Sequence, residues 1–317
     1  MARRRLNIPE EVKIKIRQHL SESYLNAIDG YDSASEEEDA LTGDLGASLR
    51  IKNQKVIVDS NQEKRPGIWT WSINYHKFRG RGPGATENLL GADGIFVLSV
   101  KNGDYVEKKT LMFQSKMNWK DDPNLIEQVI KLTTWREAAF ILNFTKTEFE
   151  AINLDSVISS KGKRINLTQY KPLDKFLGND FLNCFIGDVD LKYNGNSRKL
   201  IWRTLKNEIV ATKFSIPHRI SIEIEAPSIT YGNDMLYDKE ITHSEIHKNR
   251  MDASEEDILS VEDGATLKVV KQARAEKAQI YHSDKNHFND DLLNELMTMR
   301  MQEINLAYES LKQSKKK

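Results

Sequence analysis

Residues suited to phosphodiester chemistry occur together in one stretch of the chain. The carboxylates Glu87 and Asp93 are six residues apart, and Asp93 stands at the mouth of the apolar run 94–100. Beyond a turn signal at Asn102-Gly103-Asp104, Gln114 and Lys116 lie two residues apart in the run 110–117. On a strand that spacing puts both side chains on one face, and a hairpin sets Asp93 on the adjacent strand. A hard divalent cation such as Mg²⁺ or Mn²⁺ takes oxygen ligands. Asp93 and Glu87 offer carboxylates, and Gln114 offers an amide oxygen. Such an ion activates a bound water and neutralises charge on a phosphate in flight. Lys116 beside it would orient the attacking water or offset the developing negative charge. The competing reading is that Asp93 caps a turn and Lys116 is an ordinary exposed strand residue.

The elements that must position these groups read as a mixed α/β core. Residues 10–27 carry apolar positions at helical spacing after Asn7 and Pro9, which suit a cap and a first turn. Residues 33–44 are rich in Ser, Glu, Asp and Gly and read as a solvated loop, and 47–74 alternate loosely as strands. A short helix before Asp93, strands over 94–100 and 110–117, a helix from Pro123 to about Trp135 and a strand over 138–145 follow. A helix is expected near 146–151 and another near 173–185. Residues 219–225 alternate strictly and read as a half-exposed strand. Residues 226–256 are polar and aperiodic, which suits a linker.

This order of carboxylates, hairpin, Gln-x-Lys and helix resembles the PD-(D/E)xK nuclease superfamily, in its Gln-x-Lys variant as in Mrr-like restriction nucleases. The likeness runs from about residue 84 to 145. It implies a restriction-endonuclease-like core with a mixed central sheet over 1–225. It also implies Glu87 as the helix acid, Asp93 as principal metal ligand, Gln114 as second ligand position and Lys116 as catalytic lysine. Gln128 in 124–132 takes the place of the glutamine that often faces the site from the following helix. Gln114 departs from the commoner Glu, which removes one negative charge from the site. The resemblance implies a metal-dependent DNA endonuclease, an effector of bacterial anti-phage defence or restriction. The other reading is a co-chaperone or assembly adaptor whose nuclease-like core only binds nucleic acid or protein.

The last part of the chain, 257–317, carries a second resemblance. Thr266 suits the cap of a helix over 267–281, on which Lys268, Lys271, Arg274 and Lys277 recur every three or four residues and so share a face. A polar loop and a second amphipathic helix over 292–312 complete an antiparallel pair. Asp257-Ile258-Leu259-Ser260-Val261, Tyr281-His282-Ser283-Asp284-Lys285-Asn286 and Ile304-Asn305-Leu306-Ala307-Tyr308-Glu309-Ser310-Leu311 are similar, in order and spacing, to J-domain motifs. The family uses its loop His and Asp and its basic helix face to drive a DnaK-type chaperone. Here His282, Asp284, Lys271 and Arg274 stand at those places. Ser283 replaces the family's proline, whose fixed φ would stiffen the loop. The implied role is partner docking, to a DnaK-type chaperone or to the ATPase of a defence complex.

Composition bounds the rest. Lys plus Arg equals Asp plus Glu at 47 each, so bulk charge draws the chain to neither nucleic acid nor membrane. Tight DNA binding then calls for a partner or a homo-oligomer that builds a basic channel. Lys77, Arg79 and Arg81 flank a glycine cluster and read equally as phosphate contacts or as a basic loop. His243 and His247 have helical spacing but lack the Glu of a zinc protease. The single Cys184 excludes an internal disulfide or a cysteine zinc cage and, with no apolar run of roughly 18 residues, suits a cytoplasmic chain. The basic start Met1-Ala2-Arg3-Arg4-Arg5 has no apolar run behind it and does not read as a signal peptide.

Overall fold

A computed structural model describes residues 6–34, 37–59, 66–78, 91–103, 105–167, 169–194, 197–203, 209–214, 216–227, 239–240, 254–282 and 291–314. Glu87, Arg79, Arg81, His243, His247, Ser283 and Asp284 lie outside them, as does the short helix expected before Asp93.

Apolar residues at four-residue spacing make the first helix, α1 (Glu10–Asp29), which buries Val12, Ile16, Leu20, Tyr24 and Ala27. The stretch read as a solvated loop instead enters α2 (Glu38–Leu49). Leu41, Leu45 and Leu49 recur every four residues and are all buried, while the acidic residues that suggested a loop gather at its first turn, where the helix dipole favours them. Two strands follow, β1 (Ile51–Val58) and β2 (Gly67–Lys77).

The central hairpin is β3 (Gly94–Asn102) and β4 (Tyr105–Met117). It leads into α3 (Pro123–Leu132), a 3₁₀ segment (Thr133–Ala138) and β5 (Ala139–Phe144), which lies parallel to β4. The helix expected near 146–151 is instead a tight hairpin into β6 (Phe149–Ile152). Thr145 closes the turn, its Oγ1 donating to the Glu148 carbonyl at 2.6 Å. All four β6 residues are buried, and Phe149 meets Phe144 edge-on at 4.8 Å. Buried on both sides, this short run gains more as a strand than as a one-turn helix. Next come α4 (Leu154–Ser159), β7 (Lys171–Pro172), a helical turn (Leu173–Lys175) running into a π-helical one (Phe176–Phe181), β8 (Lys192–Asn194), β9 (Lys199–Arg203), β10 (Ile209–Lys213), β11 (His218–Glu225) and β12 (Lys239–Glu240).

The strands form an eight-stranded mixed sheet, ordered β1-β2-β11-β3-β4-β5-β6-β7, and a four-stranded sheet, β12-β10-β9-β8. The late strand β11 inserts beside β3, parallel to it and antiparallel to β2. One face of the large sheet, carrying Phe96, Phe113, Phe140 and Ile222, packs on α1 and α2. The other face, carrying Ile95, Met112 and Ile141, packs on α3, α4 and the small sheet. Trp202 of β9 meets Trp135 edge to face at 5.7 Å, a contact worth about 1 kcal/mol beyond its burial.

The final segment is α5 (Glu255–Leu259), α6 (Leu267–Tyr281) and α7 (Asp291–Ser314). Thr266 caps α6 as expected, accepting from Val269 N at 3.5 Å. These helices share one apolar cluster with α3 and α4: Val270, Leu293, Met297 and Ile304 are continuous with Leu125, Val129 and Val157. A polar seam closes the seat. Asp155 of α4 accepts from Lys277 Nζ at 2.6 Å and from the Tyr281 hydroxyl at 2.6 Å. Glu303 of α7 pairs with Arg300 at 2.6 Å and with Arg136 at 3.0 Å. Arg136 is buried at φ 53°, a conformation that costs about 1–3 kcal/mol. The four basic residues of α6 therefore do not share one free face. Lys268 and Lys271 are exposed, Arg274 lies against α7 with its Nε on Asn305 Oδ1 at 3.0 Å, and Lys277 turns inward to Asp155. No described helix is long and apolar enough to cross a membrane.

Candidate active site at the ends of β3 and β4

Asp93 immediately precedes β3, and the register that pairs Gly94 with Phe113 sets it opposite Gln114. Its placement is over-determined. Its N–H donates to the Phe113 carbonyl at 2.9 Å, and its carbonyl accepts from His218 N of β11 at 3.3 Å. Gly94 lets this corner close, because a Cβ there would fall 2.0 Å from the Phe113 ring. Gly91, at φ +67°, brings the same segment against α3, where a Cβ would fall 2.6 Å from the Gln128 carbonyl.

The Asp93 side chain is buried at 8% exposure. Its Oδ2 accepts three hydrogen bonds, from Gln114 Nε2 at 2.5 Å, Ser115 N at 2.8 Å and Ser115 Oγ at 2.6 Å. Gln114 is 2% exposed and spends its amide nitrogen on Asp93, while its Oε1 is buried without a partner. Gln128 Oε1, on the helix against Gly91, is likewise buried without a partner. An unmade hydrogen bond of this kind costs about 1–3 kcal/mol, so the orphaned oxygen of the amide that serves Asp93 marks a place for a cation or donor to enter.

Lys116 projects from the same face two residues along β4. It is paired with Asp122 Oδ2 at 3.3 Å, and its side chain is only 14% exposed. Asp122 also caps α3, its Oδ1 accepting from Asn124 N at 2.9 Å and Leu125 N at 3.2 Å. The cap residue of the helix thus holds the lysine at the sheet end. Asp122 went unread in the sequence, although an acidic residue directly before Pro123 and an amphipathic run is a cap signal.

The polar row continues across the sheet. Lys116 pairs in register with Asn143 of β5, and Asn143 with Glu150 of β6. Asn143 donates from Nδ2 to Glu150 Oε2 at 2.8 Å, Glu150 is clamped by Arg164, and Asn143 Oδ1 accepts from Trp119 N at 3.1 Å. Asp93, Gln114, Lys116, Asn143 and Glu150 therefore share one end of one face. Asn143 and Glu150 carried no motif. Their signal was a polar residue inside each of two otherwise apolar strands.

Lys77, read as a phosphate contact, projects from the opposite face and pairs with Asp39 at 2.5 Å. Asp39 also meets Nε2 of the buried His218 at 2.9 Å, while the Tyr75 hydroxyl meets its Nδ1 at 2.9 Å. Burial, the larger influence, pulls the His218 pKa below the ordinary histidine value against the raising effect of Asp39. His282 is exposed at the end of α6, with its N–H on the Ala278 carbonyl at 3.1 Å. Lys271 and Arg274 lie on α6 as described above. Among the described residues no group of three His, Cys, Asp or Glu gathers as a metal cluster.

The chain matches no protein-family model, no curated protein and no solved structure.

Proposed function

We propose that the chain is a metal-dependent phosphodiester hydrolase acting on DNA, with Asp93, Gln114 and Lys116 at its working end. One observation carries this reading: a buried carboxylate opposed in register to an amide whose oxygen is orphaned, with a lysine on the same face. The donors present fit a hard cation. Asp93 with the amide oxygens of Gln114 and Gln128 would hold Mg²⁺ or Mn²⁺, which when bound supplies an activated water and offsets phosphate charge. Asp93 is fixed by its backbone bonds and by Ser115, so its position costs nothing to organise at the moment of reaction. Lys116, steadied by Asp122, orients a water or a phosphate oxygen beside Asp93. Glu87 belongs to the same proposal as a further carboxylate. The core is proposed as PD-(D/E)xK-like and the α5–α7 unit as J-like, docking a protein partner through His282, Asp284 and Lys271, with Arg274 beside them. That partner is the ATPase of a defence complex or a DnaK-type chaperone.

A second reading has its own support. Asp93 Oδ2 is already saturated, and Lys116 already has an ion-pair partner. Both suit a scaffold that binds without cutting. Plasmid DNA incubated with Mg²⁺ or Mn²⁺ separates the two. Cleavage by wild type that Asp93→Ala and Lys116→Ala both abolish supports the enzyme. Intact plasmid in every lane, with the partner added, supports the scaffold.

A further inference from the structure

The sheet face that carries Asp93 extends past β3 onto β11 and β2. The residues there have a distinct character. Arg219 of β11 pairs in register with Ile95 of β3 and with His76 of β2. Ile95 is two residues past Asp93, so Arg219, Ile95 and Asp93 share a face. By strand geometry the Cα atoms of Arg219 and Asp93 are roughly 8 Å apart, from two residue rises and one inter-strand spacing. Phe78 follows β2 with the same parity as His76, and its N–H donates to the Pro217 carbonyl at 2.7 Å.

These side chains gather into one array. The Phe78 ring stacks with His76 at 6.2 Å and an interplanar angle of 26°. The Arg219 guanidinium lies 5.5 Å from the Phe78 ring centre, and that of Arg198, in the β8–β9 turn, 5.8 Å from it. Arg198 and His76 are exposed, and Phe78 and Arg219 are half-buried. Arg219 Nε is buried without a hydrogen-bond partner, so a desolvated guanidinium donor is left unspent. Lys108 of β4 and Lys192 of β8 add to the same field. Burial holds the Lys108 pKa below the ordinary lysine value, and repulsion from Arg219 and Lys192 lowers it further. Glu223, which accepts from Asn74 Nδ2 at 3.0 Å, is the carboxylate that opposes this at Lys108. Two arginines against a stacked ring pair, with one donor unspent, are complementary to a polyanion that carries flat rings.

We infer that Phe78, His76, Arg219 and Arg198 form a docking platform for a strand of nucleic acid with unpaired bases, leading its backbone toward Asp93. The inference rests on the proposed phosphodiester chemistry for its purpose, but the platform is defined by its own residues. Bases stack on the His76–Phe78 pair and backbone phosphates meet the two arginines, a combination that binds single strands with little sequence preference. Duplex DNA keeps its bases stacked internally and offers only its phosphates. The platform therefore selects single-stranded regions, overhangs or flaps, and it does so although the net charge of the chain is zero.

The test is fluorescence anisotropy with a short labelled single-stranded DNA and the matching blunt duplex, on the full chain in chelator so that nothing is cut. Wild type is expected to bind the single strand at least about tenfold more tightly than the duplex. Phe78→Ala and Arg219→Ala are each expected to weaken single-strand binding about tenfold, and Arg219→Ala to reduce the log–log salt slope by about one. Arg198→Ala and His76→Ala, at exposed positions, decide the matter if either of the other variants fails to fold. Equal affinity for strand and duplex, or unchanged binding in the folded variants, overturns the platform. Cleavage assays with Mg²⁺ on the same proteins are scored separately. Binding without any cleavage sinks the nuclease reading and leaves the platform standing, and cleavage with unaltered binding in the variants does the reverse.

Discussion

Asp93 and Asp155 are both carboxylates set among polar side chains at the margin of the same apolar cluster, and their surroundings differ in kind. Asp155 meets a full positive charge, Lys277, and a hydroxyl, Tyr281, each at 2.6 Å. The neighbouring Glu303 is held by two arginines. Asp93 Oδ2 accepts from a neighbouring amide, a backbone N–H and a hydroxyl, and the amide that serves it leaves an oxygen orphaned. The first arrangement joins two parts of the chain and is complete when they meet. The second is fixed by neighbours in one hairpin and leaves an amide oxygen acceptor over, as a ligand site requires. A carboxylate that bridges two elements through a counter-charge is cement, and one beside an unmade bond is a candidate for chemistry.

That contrast can be broken by substitution. The largest effect is expected at Asp93. Asp93→Ala should lower metal-dependent DNA cleavage per folded molecule about 10³-fold, roughly 4 kcal/mol of transition-state stabilisation, a loss beyond the stability it costs to leave the Gln114 and Ser115 donors unpaired. A large loss of stability with cleavage retained would reverse the two roles. Lys277→Ala should do the opposite: it strands Asp155 without its cation and costs about 3 kcal/mol of stability in urea unfolding, with cleavage per folded molecule preserved. Adding Asp155→Asn to Lys277→Ala should recover part of that loss.

Acid sharpens the contrast further. Burial raises the Asp155 pKa, but Lys277 and Tyr281 outweigh it and leave the carboxyl below its ordinary value. Glu303 is lowered in the same way, with Arg300 and Arg136 overcoming burial. A carboxylate with a depressed folded pKa contributes stability that is complete above its unfolded value, about 3.9 for Asp and 4.3 for Glu, and that is lost as pH falls through the folded one. Stability measured against pH should therefore drop below about pH 4, and Asp155→Asn should flatten that acid limb. The smallest effect is expected at the cap that steadies Lys116. Asp122→Ala should cost about 1 kcal/mol of stability and reduce cleavage by less than Asp93→Ala does. Equal loss in the two variants would make Asp122, and not Asp93, the centre of the site.

The hairpin bearing Asp93, Gln114 and Lys116 was legible because period-two alternation and an Asn-Gly turn are local signals, and so was the Thr266 cap. What failed to show was non-local. Residues 38–49 look polar, and only the fourfold spacing of Leu41, Leu45 and Leu49 betrays the helix. Residues 149–152 are too short to declare a period, and only burial between β5 and β7 makes them a strand. The insertion of β11 beside β3, which brings Arg219 to the Asp93 face, joins residues more than a hundred positions apart and leaves no trace in either segment. The inward turn of Lys277 is of the same origin: a regular basic spacing looks like a solvated face until Asp155 arrives from another helix.

The activity proposed for the Asp93 corner is the cutting of phosphodiester bonds. The most direct measurement is single-turnover cleavage of an end-labelled DNA carrying a single-stranded overhang, with Mn²⁺, by wild type and Asp93→Ala protein of equal folded fraction. Cleavage by wild type is expected, with a rate about 10³-fold lower for the variant. Equal rates in the two proteins, or an uncut substrate under wild type, would contradict it.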